Sequence, residues 1–246
     1  MRESGNTEVI IFAKAPVEGR VKTRLQPQCT PSQSVTLYRA FLKDVVEMVA
    51  GWVGTQDGAR ATVSWAGEDD DATQGWIREQ GVSVVEQGEG DLGARMRRAI
   101  GAARTRGAET IIIVGADSPT LSGEHLSLAS ATVKRCDVVW GPSFDGGYYL
   151  VAVGAQEKSR NVLVEDVIFE GVAWSTADVL AQSWQCARRA GLLPDLLGFW
   201  YDVDTFEDVK VLEFHLLEFL ESQGFEGARH TREVLLKWRH CGYLRS

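Results

Sequence analysis

The sequence predicts an α/β fold in which two layers of helices enclose a mixed, mostly parallel sheet. Two features carry this expectation. Apolar runs of strand length alternate with amphipathic stretches of helical period, the pattern of a three-layer sheet architecture. Late in the chain, two such runs (136–141 and 147–153) lie too close together for a crossover helix, so that pair is antiparallel or mixed.

From the N-terminus, "EVIIFA" (8–13) is a strand. In "SQSVTLYRAFLKDVVEMV" (32–49), Val35, Leu37, Tyr38, Phe41, Leu42, Val45, Val46 and Val49 recur at helical spacing. "ARATVSWA" (59–66) and "VSVVEQ" (82–87) are strands, with a short helix between them in "DDATQGWIREQ" (70–80). "DLGARMRRAIGAARTR" (91–106) is a helix with Asp91 placed to cap it. The buried strand 110–115 follows, then a helix around His125 to Lys134 and the close pair of strands. A helix from about Ser175 to Ala190 stops at Gly191, and an extended piece (196–204) leads into an amphipathic helix (206–222) and a last helix in "TREVLLKWRH" (231–240). No repeat or linker interrupts this order, so one domain over 1–246 is expected.

Composition narrows the function classes. A chain of 246 residues buries roughly 70–75% of its unfolded surface and needs no metal or disulfide merely to fold. Its net charge of −8 argues against nucleic acid as a partner, because phosphate neutralisation by a basic face dominates such affinity. Cys29, Cys136, Cys186 and Cys241 form no C-x-x-C pair, which fits reduced thiols and a cytoplasmic setting. The N-terminal apolar run, Val9 to Ala13, is too short for a signal segment or a membrane span.

Ligands of open α/β sheets bind outside the carboxyl ends of the strands, and the unusual loops of this chain follow strands. "AKAPVEGRVKTRL" (13–25) carries Lys14, Gly19, Arg20, Lys22 and Arg24, a flexible cationic turn suited to phosphates, without Walker A spacing. "GEGDLGARMRRA" (88–99) offers glycines for close backbone approach and a helix start carrying Arg95, while Arg97, Arg98, Arg104 and Arg106 read as a solvated helix face. In "IIIVGADSPTL" (111–121) an acid, Asp117, ends a buried strand. Such a carboxylate is either a turn residue before Pro119 or a ligand for a hard cation, with Ser118 at longer range. "WYDVDTFEDV" (200–209) places Asp202 and Asp204 on one face of an extended segment; Asp204 or Thr205 is also placed to cap the next helix. "GPSFDGGYYL" (141–150) is a hairpin signal in Asp145-Gly146-Gly147, with Tyr148 and Tyr149 as packing or stacking residues. The four histidines lack metal spacing, and His215 sits in an apolar helical period that suggests packing.

The ordered series "FAKAPVEGRVKTRL", "GDLGARM", "GADSPTL", "GPSFDGGYYL" and "WYDVDTFED" resembles the GT-A-like transferases once catalogued as a domain of unknown function and labelled radical-SAM- or selenium-associated glycosyltransferases. The likeness spans about residues 8–210. More distantly, the first block is similar to phospholactate guanylyltransferase and "DVDT" to molybdenum-cofactor nucleotidylyltransferases, all of the nucleotide-diphospho-sugar transferase superfamily. The resemblance implies a Rossmann-like GT-A fold with a nucleotide-binding part (about 8–120), an acceptor part (about 121–210) and C-terminal helices (about 206–246). It implies Mg²⁺ or Mn²⁺ held by Asp117 and Asp204, with Asp202 as the alternative. Ala13, Lys14, Gly19, Lys22, Arg24, Gly93 and Arg95 fall on the nucleotide side, and Asp145, Gly146, Gly147 and Tyr148 on the acceptor side. Asp117, Lys22 and Asp145 are the residues expected to carry catalysis.

The chain departs from the family patterns where D-x-D is replaced by "DSP" and G-x-G-x-R by "KAPVEGRVKTR". The expected function is metal-dependent transfer from a nucleotide donor to a small acceptor. Glycosyl transfer from a nucleotide-sugar comes first, and the alternatives are nucleotidylyl transfer with release of pyrophosphate or a non-catalytic nucleotide-binding role.

Overall fold

A computed structural model describes residues 6–26, 28–68, 70–155 and 162–244. Among the described residues, seven strands form one sheet: β1 (Thr7–Lys14), β2 (Arg60–Ala66), β3 (Ser83–Glu86), β4 (Thr110–Gly115), β5 (Val138–Pro142), β6 (Tyr148–Val153) and β7 (Pro194–Leu196). Their order is β3-β2-β1-β4-β6-β5-β7. Of these described strands only β6 runs against its neighbours, pairing antiparallel with both β4 and β5; the other pairings are parallel. The sheet is therefore mixed and mostly parallel, as the short connection between the two late strands requires.

Helices α1 (Pro31–Gly54), α2 (Asp71–Glu79) and α4 (Gly123–Thr132) cover one face; α3 (Leu92–Thr105), α5 (Val164–Val167) and α6 (Val179–Arg189) cover the other. Strand periodicity explains this division. Val9 and Ile11 point into the α1 side while Ile10 points into the α3 side, all of them fully buried. Helix α1 is apolar on a second flank as well. There Leu37 and Phe41 pack against α7 (Phe206–Phe214), a π-helical turn (His215–Leu220) and α8 (Arg229–His240), adding an outer layer.

Helix starts follow their capping residues. Thr30 and Gln33 form a capping box ahead of Pro31 on α1, and Asp91 accepts the Ala94 N–H on α3. Two boundaries differ from the sequence reading. The extended piece 196–204 pairs as a strand only over Pro194–Leu196, because β5 ends at Pro142, which has no N–H to donate; beyond it the Trp200 N–H bonds to the Pro142 carbonyl as an isolated contact. The helix expected from Ser175 starts at Val179, since Ser175 lies at positive φ. Among the described residues no helix is long and apolar enough to cross a membrane.

Candidate active site

Because β6 alone is reversed, the carboxyl ends of the other six strands meet at one edge of the sheet. The loops after β1, β2, β4, β5 and β7 therefore share that edge, and three of them converge on one cation.

That cation is Lys22. Its backbone occupies the left-handed region (φ 49°, ψ 40°), unusual for a residue with a Cβ. Its side chain is 4% exposed, and its Nζ lies 2.7 Å from Asp117 Oδ1, 2.8 Å from Asp204 Oδ1 and 5.8 Å from the Phe41 ring centre. The contact to Asp204 is a directed hydrogen bond, whereas buried Asp117 Oδ1 meets the ammonium as an ion pair without hydrogen-bond alignment. Burial pulls the Lys22 pKa down, but the two carboxylates outweigh it, so the amine is held charged. The same balance holds Asp204 below the ordinary carboxylate range: burial opposes, and Lys22 overrides it with help from Arg24, 3.7 Å away.

Each acid reaches this point for a local reason. Asp117 leaves the end of β4, and its backbone carbonyl accepts the Val203 N–H, which pins the Asp202–Asp204 segment alongside. Asp204 is free to turn toward Lys22 because Thr205, not Asp204, caps α7 in a box with Asp208. Asp202 stands one step aside. Its Oδ1 accepts the hydroxyl of Ser118, which is 1% exposed, and burial chiefly, with Asp117 adding to it, pushes its pKa up to about 6. Two carboxylates, one from the loop after β4 and one from the segment before α7, thus meet one ammonium, with Asp202 beside them.

The rest of the first loop forms a wall. Lys14, Ala15, Val17 and Arg20 face Ala66, Gly67 and Glu68 from the β2 end across a cavity of about 210 Å³. The buried Tyr38 fixes this wall: its hydroxyl accepts the Lys14 N–H at 2.8 Å and donates to the Lys14 carbonyl. Ala13 is buried in β1, and Gly19 takes positive φ (73°) at the turn.

Several expected site residues also make contacts that hold the loops at this edge in shape. Arg95 donates to the Gly90 carbonyl and to Gln87 Oε1, and Arg98 grips the Gln87 and Glu89 carbonyls, so both clamp the glycine-rich loop. Gln87 in turn ties Ala13 to Ser64 through its amide nitrogen. Gly93 leaves room for the Trp174 indole, which would stand 2.6 Å from a Cβ there. The arginines read as a solvated face are mostly engaged: Arg104 pairs with the buried Glu165 and Arg106 with the buried Glu8, acids whose proximity no local sequence signal shows. Asp145 closes its own hairpin by accepting the Ser143 hydroxyl and the Gly147 N–H. Gly146 is required because a Cβ would lie 2.0 Å from the Ala177 carbonyl oxygen, and the Tyr148 ring packs against Trp140. The hairpin presents Phe144 instead, 78% exposed and stacked at 5.4 Å on Phe199 of the β7 loop.

The oxygen donors of Asp117, Asp204 and Asp202 suit a hard divalent cation. Among the described residues, the three potential metal ligands whose ligand atoms all lie within 4.8 Å of one another are not these acids but Asp44, Glu47 and His230, and that group is occupied structurally. There Asp44 caps α8 by accepting the His230 and Thr231 N–H groups, and Glu47 is held by Arg229 and His230.

The fold is that of the nucleotide-diphospho-sugar transferases, which places the chain among transferases. The chain belongs to the family described as "Uncharacterized protein conserved in bacteria (DUF2064)", whose model matches residues 50–176. It is similar to a candidate nucleotide-diphospho-sugar transferase from Desulfovibrio desulfuricans G20, with 26% identity, 97% of this chain and 96% of that chain covered, and a TM-score of 0.79. A cytidylyltransferase from Leptospira borgpetersenii serovar Hardjo-bovis shares the fold at 16% identity, with 98% of each chain covered and a TM-score of 0.56. So does a 4-diphosphocytidyl-2C-methyl-D-erythritol synthase from Anaerococcus prevotii DSM 20548, at 12% identity over 88% of this chain and 98% of that chain, with a TM-score of 0.53. No curated protein matches the chain.

Proposed function

We propose that the protein transfers a glycosyl group from a nucleotide-sugar to a small acceptor in a reaction that depends on Mg²⁺ or Mn²⁺. The observation that carries this reading is the convergence of Asp117, from the loop after β4, and Asp204, from the segment before α7, on a single cation position beside the cationic β1 loop. The likeness to the Desulfovibrio protein supports the choice of a nucleotide-sugar as donor.

In this reading the nucleotide-binding part spans about residues 8–120 and the acceptor part about 121–210, within one domain. Lys14 and Arg20 line the cavity at the β1 end, and with Lys22 and Arg24 they neutralise the negative charge that gathers on the departing diphosphate. Asp117 and Asp204 would hold the metal, with Asp202 beside them. When bound, the ion supplies Lewis-acid neutralisation of the same phosphate oxygens. No protein nucleophile is needed, and Asp145, whose carboxylate already closes its hairpin, orients the acceptor-side loop. The density of cations along the β1 loop also suits a triphosphate, which keeps nucleotidylyl transfer as the second reading.

A thermal-shift panel of nucleotide-sugars and nucleoside triphosphates, each with and without Mn²⁺, separates the two. A ligand at a hundredfold excess over its Kd stabilises the fold by about 2.7 kcal/mol. The expected result is a shift with a nucleotide-sugar plus Mn²⁺ and turnover that releases a nucleoside diphosphate. Pyrophosphate release would establish the second reading, and no shift with any member would leave neither standing.

A further inference from the structure

Lys22 occupies the very place that the metal reading gives to a divalent ion. Its ammonium touches one oxygen of each acid, 2.7 and 2.8 Å away, in a position where its side chain is 4% exposed while each carboxylate is 40% exposed. The Phe41 ring lies beneath it, so the ammonium has exchanged most of its water for these two anions. The backbone that delivers it is held in the left-handed region, one of three described non-glycine residues at positive φ. Strain of this kind persists where the surroundings over-determine a conformation, and it is common at functional sites.

A divalent ion meets this ammonium by either route. On the buried oxygens it must displace Nζ, because both cations need the same contact positions. On the outer, solvent-facing parts of the carboxylates it binds anions already half-neutralised, with a positive charge a few ångströms away. We propose that Lys22 is the resident counter-cation of the metal site: it competes with the divalent ion for Asp117 and Asp204, so the protein holds metal weakly until a phosphate group takes the ammonium over. Nucleotide and metal then load together, a positive coupling between two ligands of one site. This inference rests on the assignment of Asp117 and Asp204 as metal ligands.

The test is Mn²⁺ binding followed by the electron paramagnetic resonance of the free ion, without nucleotide, on the full-length wild type, Lys22→Gln and Lys22→Met. Glutamine keeps a hydrogen-bonding end near the acids, so the comparison survives if the methionine variant does not fold. Removing the competing charge should tighten Mn²⁺ by about tenfold or more, and adding Asp117→Asn should abolish that gain. A second arm adds saturating inorganic pyrophosphate and corrects for its own complex with Mn²⁺. The pyrophosphate-induced rise in Mn²⁺ affinity should then be larger for the wild type than for Lys22→Gln. Equal Mn²⁺ affinity in wild type and variants, lost on Asp117→Asn, would overturn the competition while leaving the metal site standing. Absence of Mn²⁺ binding in every form, pyrophosphate included, would overturn both, and equal pyrophosphate effects would overturn the hand-over to phosphate.

Discussion

Lys22 pays for its place with a left-handed backbone, and its side chain is charged because two carboxylates outweigh its burial. At this scale the clearest prediction concerns Asp117. Asp117→Ala should lower metal-dependent turnover by on the order of 10²–10³-fold while leaving the far-ultraviolet circular dichroism unchanged, since Lys22 retains Asp204; wild-type turnover would remove Asp117 from the site. Asp202 gives a pH prediction. Its folded pKa of about 6 lies above its ordinary value of 3.8, so the folded state binds the proton more tightly than the unfolded chain. The stability this contributes is present in full below about pH 4 and is lost as pH rises through about 6. Asp202→Asn should flatten the pH dependence of the urea midpoint over this window and stabilise the protein at pH 7 by up to about 3 kcal/mol. Parallel pH profiles for wild type and variant would show that Asp202 is ionised without penalty.

Among the elements, the loops after β5 and β7 show how local signals and tertiary fit divide the work. "DGG" marks a hairpin on turn chemistry alone, and Asp145, Gly146 and Gly147 form that turn. The sequence does not show that the Ala177 carbonyl presses against Gly146, closing the hairpin onto the segment before α6. Gly146→Ala should therefore cost about 2–4 kcal/mol in chemical denaturation. Gly191→Ala, also at positive φ but facing open space, should cost only about 1 kcal/mol. Similar losses at both positions would mean that backbone strain alone, and not contact with Ala177, sets the cost at Gly146.

For the whole molecule, α1 is the shared member. One flank packs on the sheet through Val35, Leu42 and Val46, and the other packs on α7 and α8 through Leu37 and Phe41. Phe41 also lies under the Lys22 ammonium, so the outer helical layer and the candidate site rest on the same side chain. Phe41→Ala should destabilise the protein by about 3–5 kcal/mol and weaken nucleotide binding in the thermal-shift panel. A variant that loses stability but binds nucleotide as the wild type does would separate the outer layer from the site.

Strand and helix identities were legible in the sequence because they depend on periodicities of 2 and 3.6, which are local. The antiparallel placement of β6 followed from a connection too short to cross the sheet, and Asp91 was legible as a cap because capping joins residues three apart. Other features were beyond sequence reasoning because they join residues about 55 to 180 positions apart. The pairing of Arg104 with Glu165 and of Arg106 with Glu8 is of this kind, as is the stack of Phe144 on Phe199. So is the meeting of Lys22 with Asp117 and Asp204. The sequence by itself determined the α/β class, the order of elements and the strand-end loops in which chemistry is concentrated. Only the tertiary structure decided that Thr205 relieves Asp204 of capping and that a lysine from the first loop sits between the two acids, because charge partnership depends on which strand ends the sheet brings together.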